Sequence, residues 1–283
     1  MKTYIKFIKI YLNFLSYIAP KYGGKVAIKI FQKVRIRKIK KREEDFYKKA
    51  KTFTLKQEVY SNSFSINYYE LGNPNNHLVF LVHGWDSNAG SLSQFAFELA
   101  KTHYVISLDL PAHAYSKGTH TNLFECKTAF INLINHIQPK QKFSVIAHSF
   151  GAAVITYALA ETNYHINKIV LLSANNKIKI IFDDYQKLIG FNDRIYLEVS
   201  KWIKRITNEE LEDLILSEKA KKIKFNNFLI IHDKFDKVLP FKSATEIKEA
   251  IPKATLIPFE KIGHYRMLWN KEVLNETIRF IRK

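Results

Sequence analysis

Residues 145–151 read Val145-Ile146-Ala147-His148-Ser149-Phe150-Gly151, and an apolar helical pattern continues through Ala152, Ala153 and Val154. Such a run describes a buried strand that breaks at a serine and enters a helix. A turn sharp enough to lift Ser149 clear of the strand leaves almost no room for side chains two residues to either side. Ala147 and Gly151 meet that demand. The serine hydroxyl then points away from the strand with the first helix amides behind it, the geometry of a nucleophile elbow. Small-x-Ser-x-Gly also occurs in ordinary strand-to-helix turns, so the surrounding chain has to decide between the two readings.

Outward from this stretch, strand and helix signals alternate. Strand patterns cover 64–71, 77–82, 103–109, 143–147, 169–173, 228–232 and 255–259, and helical patterns cover 92–101, 123–137, 150–161, 241–250 and 271–281. Apolar strands joined by helices predict an α/β fold, a mostly parallel central sheet with helices on both faces, the first strands pairing antiparallel. Residues 175–225 carry helical patterns without a convincing strand and read as a small helical cap inserted into the sheet order. The chain has 283 residues, 47% of them hydrophobic and 14% aromatic, with 9 Gly and 7 Pro, which suits a packed core and excludes low-complexity and collagen-like classes. Its single cysteine, Cys126, lies in a helical pattern, which excludes an intrachain disulfide and a cysteine metal cluster and suggests a reducing, cytoplasmic setting.

The formal net charge of +19 is uneven. Sixteen of the 45 Lys and Arg residues, but only three of the 26 acids (Glu43, Glu44, Asp45), fall in residues 1–51. These residues read as a basic N-terminal helical extension, and residues 52–283 as the main domain with its insertion. Residues 1–19 suggest a helix, with Lys2, Lys6 and Lys9 along one side and Ile5, Ile8, Leu12 and Leu15 on another, ended by Pro20 and Gly23-Gly24. Lysines ahead of an apolar run also have the order of a secretory leader, but Asn13 interrupts the run and no clear small-x-small site follows. The run is shorter than the ~20 apolar residues a membrane span needs. It suits either an interfacial helix or a helix packed on the body, so residues 1–24 are a candidate for peripheral contact at the inner face of a membrane. The stretch 25–51 lacks the aromatic platform or reading motif that would turn its charge into a nucleic-acid site, so nucleic acid is not expected as a partner.

In a parallel sheet the C-terminal strand ends face one rim, where residues distant in sequence can meet. His83-Gly84-Trp85-Asp86-Ser87-Asn88, Asp109-Leu110-Pro111-Ala112-His113-Ala114-Tyr115-Ser116, the elbow, His232-Asp233-Lys234-Phe235-Asp236 and Gly263-His264-Tyr265 all follow strand patterns. On these motifs and their order the chain resembles the α/β-hydrolase superfamily from about residue 64 to the C-terminus, and within it bacterial hydrolases with HGW and D-x-P-A-H-x-x-S loops. The resemblance implies Ser149 as nucleophile, Asp236 as acid and His264 as base, with the backbone amides of Trp85 and Phe150 as an oxyanion hole. Asp233 competes for the role of acid, but Asp236-Lys237-Val238-Leu239-Pro240 matches the family's D-x-V-x-P pattern. The superfamily's other acid position, at Ser173-Ala174-Asn175-Asn176, offers no carboxylate.

The residue types suit that chemistry. A serine hydroxyl needs an imidazole to accept its proton, and the imidazole needs a carboxylate to hold its tautomer. His83, His148, Gly151, Asp109 and His113 read as supporting residues that position loops or complete hydrogen bonds. Ala147 and Ala114 stand where glycine is commoner in the superfamily, and Ala114 would reshape its loop if that position needs a positive φ. The function expected is cleavage of a carboxylic ester, with thioester or amide as variants, in a small-molecule acyl substrate, through an acyl-serine and with no metal or organic cofactor. A peripheral lipid-binding protein with an idle hydrolase fold is the alternative. Phe182, Tyr185, Phe191, Tyr196 and Trp202 in the insertion would line an acyl pocket or pack among themselves. Acyl length, alcohol group and oligomeric state are not encoded in these patterns.

Overall fold

A computed structural model describes residues 2–59 and 62–283. Met1, the first residue of the expected basic extension, lies outside them. The chain divides into two compact units, one formed by Val34–Asn176 with Leu216–Lys283 and the other by the chain up to Lys33 with Lys177–Ile215.

The larger unit is built on eight strands: β1 (Lys51–Val59), β2 (Asn62–Leu71), β3 (Leu78–Val82), β4 (Tyr104–Leu108), β5 (Ser144–His148), β6 (His165–Leu172), β7 (Lys224–Asp233) and β8 (Thr255–Phe259). Their order in the sheet is β1-β2-β4-β3-β5-β6-β7-β8. β1 and β2 pair antiparallel, as do β2 and β4, while β4-β3-β5-β6-β7-β8 are parallel throughout. The central strands β3, β4 and β5 are buried at nearly every position because both faces are covered. In β3, Val79 and Leu81 join the core that includes Phe95 and Leu99 of the helix Ser93–Ala100 and Val273, Ile278 and Ile281 of Lys271–Arg282. Phe80, between them, meets the rings of Phe130 and Phe143 on the opposite face. The parallel order brings the C-terminal ends of β3, β4, β5, β6, β7 and β8 to one rim.

β1 was not among the strand patterns: Lys51 fell at the end of the basic extension, and residues 52–59 alternate too weakly in polarity to mark a strand. Lys51 and Lys56 are exposed on an edge strand, where charge discourages pairing with another chain. The basic extension does not form one body. Its part from Val34 onward belongs to the sheet unit, where Phe46 is fully buried and packs edge-on against Tyr47 and Tyr69.

The helical unit contains Lys2–Ile18, Pro20–Phe31, Ile178–Ile189 and Asp193–Thr207. The first helix ends at Ile18, just before Ala19-Pro20 as expected, and Pro20 also starts the second, since proline's missing amide costs nothing at the first helical position. Gly23 and Gly24 lie inside that helix and break nothing. A Cβ on Gly23 would sit 2.7 Å from Ile195 Cδ1 and one on Gly24 2.6 Å from Glu198 Cβ, so the two glycines let the helices approach. The helix Ile178–Ile189 ends at Gly190, at φ +73°, a C-terminal cap that glycine adopts freely. Phe182 packs tilted and Tyr185 edge-on against Phe31, and Tyr185 meets Phe191 edge-on, which makes these aromatics part of the core of their own unit. Among the described residues no helix is long and apolar enough to cross a membrane.

Candidate active site

Ser149 stands between β5 and the helix Phe150–Leu159 at φ 53°, ψ −118°. Non-glycine residues seldom adopt this conformation, and a site holds one only when its surroundings over-determine it. Here the Ser149 amide donates to the Leu172 carbonyl at 2.9 Å, and the Ser149 carbonyl accepts from Ala152 at 2.9 Å. Gly151 is required by close approach: a Cβ would stand 2.5 Å from the carbonyl oxygens of both Val82 and His83. Gly84 passes on the other side, with its missing Cβ 3.2 Å from Ser149 Cβ. Ala147 is fully buried.

The structure brings Ser149, His264 and Asp236 into one hydrogen-bonded chain. His264 Nε2 lies 2.9 Å from Ser149 Oγ, and His264 Nδ1 lies 2.7 Å from Asp236 Oδ2. The second contact puts the ring proton on Nδ1 and leaves Nε2 to accept from the serine. The carboxylate is saturated with donors: Oδ1 accepts from the amides of Val238 at 2.7 Å and Leu239 at 3.0 Å, and Oδ2 also accepts from the Ser173 hydroxyl at 3.0 Å. Burial pushes the Asp236 carboxyl up, but the His264 contact and these amides outweigh it and hold the pKa at about 2.

Asp233 has a different position and task. It is fully buried, and its oxygens accept from the amides of Phe235 at 2.6 Å, Gly263 at 2.8 Å and Ile262. It therefore pins the loop that carries His264 and does not reach the imidazole. Ser173, the residue at the superfamily's alternative acid position, completes the Asp236 shell. That hydroxyl leaves no mark in the sequence, since its partner Asp236 lies 63 positions away. His232, also unremarked, lies buried with Nε2 3.6 Å from Asp236 Oδ2 and 3.0 Å from the Leu239 carbonyl.

The supporting histidines are neutral spacers between loops. His83 Nδ1 donates to the Gly84 carbonyl at 2.7 Å, and its Nε2 accepts from the Leu110 amide at 3.0 Å, so one uncharged tautomer ties two loops. Burial first, then His113 nearby, drives its pKa well below the usual imidazole range. His113 repeats the arrangement with the Pro111 carbonyl and the Asp86 amide, and burial lowers it to about 4. His148 lies buried with its ring centroid 4.8 Å from that of His264, and its Nε2 donates to the His264 carbonyl at 3.1 Å. Burial and the neighbouring imidazole lower it to about 3.

Asp109 accepts from the hydroxyls of Tyr47 and Tyr69 and the amides of Ala89 and Tyr115, which fastens both loops to β4, and burial raises its carboxyl to about 6. Ala114 adopts φ 39° and Ala112 φ 65°, so alanine takes the positive φ that glycine would take freely. Arg37 braces that turn by donating to the carbonyls of Ala114, Ser116 and Gly118 at 2.8–2.9 Å. The amides of Arg35 and Ile36 hold the Asp86 carboxylate at 2.7 and 3.3 Å. Part of the basic extension thus straps the loops at the rim.

The rings of Trp85 and Phe150 meet edge to face at 5.0 Å, which brings the two candidate oxyanion residues together beside the elbow. Their amides have no hydrogen-bond partner among the described residues. A cleft of about 530 Å³ borders His264, lined by Phe235, Val238 and Tyr265 and by Lys237, Lys261 and Arg266.

A family model described as Serine aminopeptidase, S33, matches residues 73–235, a span that contains Ser149 and stops just before Asp236. The AB hydrolase superfamily protein YisY of Bacillus subtilis (strain 168) is 23% identical over 241 residues, covering 71% of this chain and 89% of that protein. Among solved structures, a thermophilic esterase from Thermogutta terrifontis superposes with a TM-score of 0.61 at 15% identity over 82% of this chain and 98% of its own. A membrane phospholipase A described as a bacterial virulence factor superposes with a TM-score of 0.63 at 14% identity over 100% of this chain and 98% of its own. Likeness at such identities establishes a shared fold and leaves chemistry to the site.

Proposed function

We propose, for a chain that belongs to the S33 serine aminopeptidase family of α/β hydrolases, that Ser149 cleaves a carboxylic ester through an acyl-serine intermediate. The observation that carries the reading is the chain of hydrogen bonds Ser149–His264–Asp236, at 2.9 and 2.7 Å, above an elbow held at positive φ. His264 Nε2 takes the hydroxyl proton as Ser149 Oγ attacks the ester carbonyl. Asp236 fixes the tautomer and stabilises the imidazolium that forms. The negative charge arriving on the carbonyl oxygen is received by the amides of Trp85 and Phe150, and losing one such donor typically costs ~10²–10³ in turnover. As the tetrahedral intermediate collapses, His264 returns its proton to the departing alkoxide. A water molecule then gives a proton to His264 and attacks the acyl carbonyl, and the second tetrahedral intermediate expels Ser149 Oγ, which takes that proton back from His264 as the carboxylic acid is released.

The same steps would open a thioester or an amide. A free amino terminus, the substrate mark of an aminopeptidase, is disfavoured by the cleft beside His264, whose lining carries Lys237, Lys261 and Arg266. The loops His83-Gly84-Trp85 and Asp109-Leu110-Pro111-Ala112-His113 suggest the narrower bacterial HGW and D-x-P-A-H group. The test compares p-nitrophenyl butyrate with alanine p-nitroanilide for the wild type and Ser149→Ala. Ester turnover that disappears in the variant is expected, with little anilide cleavage. Preference for the anilide would overturn the ester reading, and undiminished ester turnover by the variant would overturn the nucleophile.

A further inference from the structure

The helix Lys2–Ile18 has two apolar faces, and its own unit uses only one of them. Leu12 is fully buried and Leu15 is 5% exposed, Ser16 Oγ accepts from Asn192 Nδ2 at 2.9 Å, and a Cβ on Gly23 would meet Leu15 Cβ at 3.3 Å. Those contacts fix the rotation of the helix. Phe7, Ile10, Tyr11, Phe14, Tyr17 and Ile18 then point outward, with Phe7 67%, Phe14 60%, Tyr17 70% and Ile18 62% exposed. At about 3.6 residues per turn they cover an arc of roughly 120°. Lys6, Lys9 and Asn13 lie between this arc and the buried one. The stripe Ile5, Ile8, Leu12 and Leu15 that marked the helix as amphipathic in sequence is therefore the internal stripe, and a different one is left in contact with solvent.

We infer that this outer face docks in the surface of an anionic lipid bilayer. Six large apolar side chains on one arc form a continuous patch, in contrast to the scattered exposed residues of an ordinary surface. No carboxylate side chain occurs before Glu43, while seven lysines lie in the first 33 residues, so the helices Lys2–Ile18 and Pro20–Phe31 carry positive charge alone, and the acids of this unit, Asp193 and Glu198 among them, lie on its later segment Lys177–Ile215. That charge opposes a second copy of the same face and complements phosphate headgroups. The helix spans 17 residues and is not long and apolar enough to cross, so it lies in the interface plane, with its aromatic and aliphatic side chains at the acyl boundary and its lysine stems reaching the headgroups. The docking does not depend on the chemistry of Ser149.

The test is sedimentation of the full chain with vesicles of phosphatidylcholine, with and without phosphatidylglycerol, at low and high salt. Binding that requires phosphatidylglycerol and weakens with salt is expected. The triple variant Phe7→Ser, Phe14→Ser, Tyr17→Ser should lower the partition coefficient by about tenfold or more, because each side chain leaves an acyl environment. Lys6→Gln and Lys9→Gln should each lower it roughly fivefold. These side chains face solvent, so thermal unfolding should stay within about 2 °C of the wild type. The pair Ile10→Gln, Ile18→Gln provides an independent change on the same arc if the triple variant fails to fold. A wild type that ignores anionic vesicles, a partition unmoved by the apolar variants, or a dimer in light scattering that disappears in the variants without any vesicle binding would each overturn the docking surface.

Discussion

The rim of the sheet and the outer face of the first helix are opposites in how they settle their polar and apolar groups. At the rim, Asp236 is met by three groups besides His264, Asp109 by four, and both nitrogens of His83 and of His113 are used. On the helix Lys2–Ile18, an apolar arc as wide as the buried one stays largely exposed, met at its margin by Arg194 over the ring of Tyr17 at 5.7 Å and by the Tyr22 side chain at Tyr11. The first pattern is that of a site whose parts must be held within fractions of an ångström. The second is that of a surface still awaiting its contact.

The largest expected effect separates two aspartates within the rim. Asp236→Asn should lower kcat by roughly 10⁴-fold, because the amide no longer selects the Nδ1-protonated tautomer. Asp233→Asn should lower it far less while destabilising the fold by about 1–3 kcal/mol, because three amides lose part of their acceptor. Ester kinetics alongside denaturant unfolding check both, and a larger kinetic effect at Asp233 would exchange the two assignments.

A second pair of variants compares the regions directly. Gly151→Ala drives a Cβ against two backbone carbonyls, and Gly24→Ala drives one against Glu198, so each should cost about 1–3 kcal/mol in unfolding experiments. Only Gly151→Ala should also depress turnover, since it lies at the elbow. Turnover lost in both variants would mean that the regions are not separable.

Acid should weaken the rim. His148, lowered to about 3, and His113, lowered to about 4, stay neutral in the folded chain, with His83 and His232 lowered in the same direction. The unfolded chain takes up protons on these residues as pH falls through about 6.5, so stability is lost progressively below that point. Asp109, raised to about 6, acts oppositely, gaining its proton earlier in the folded state. With six imidazoles lowered, His77 and His103 included, against two carboxyls raised, Asp109 and Glu125, the melting temperature should fall between pH 7 and pH 4, and His148→Phe should flatten the slope. The smallest effect is expected at Arg37→Met, which unties three carbonyls of the loop holding Ala112 and Ala114. We expect a roughly tenfold loss of kcat, while Lys6→Gln leaves turnover of a soluble ester unchanged.

The rim was legible in sequence because its constraints are local. A serine needing small neighbours, a histidine after a strand and a carboxylate on a loop leave marks within a few residues, and the parallel sheet supplies the convergence. Long-range roles left no such mark. Ser173 is a donor only because β6 and β7 are neighbours, and Arg37 reaches residues some eighty positions away. The outer face of the first helix went unmarked for the same reason. Its two apolar stripes look equivalent in sequence, and only the partner helix Asp193–Thr207, far along the chain, chooses between them.

The most direct test of the rim is the site and rate of labelling by a fluorophosphonate, read by mass spectrometry of the digested protein. One adduct per chain on the peptide containing Ser149 is expected, absent in Ser149→Ala and slowed by orders of magnitude in His264→Ala. An adduct on another residue, or labelling of Ser149 that proceeds at the same rate without His264, would contradict the account.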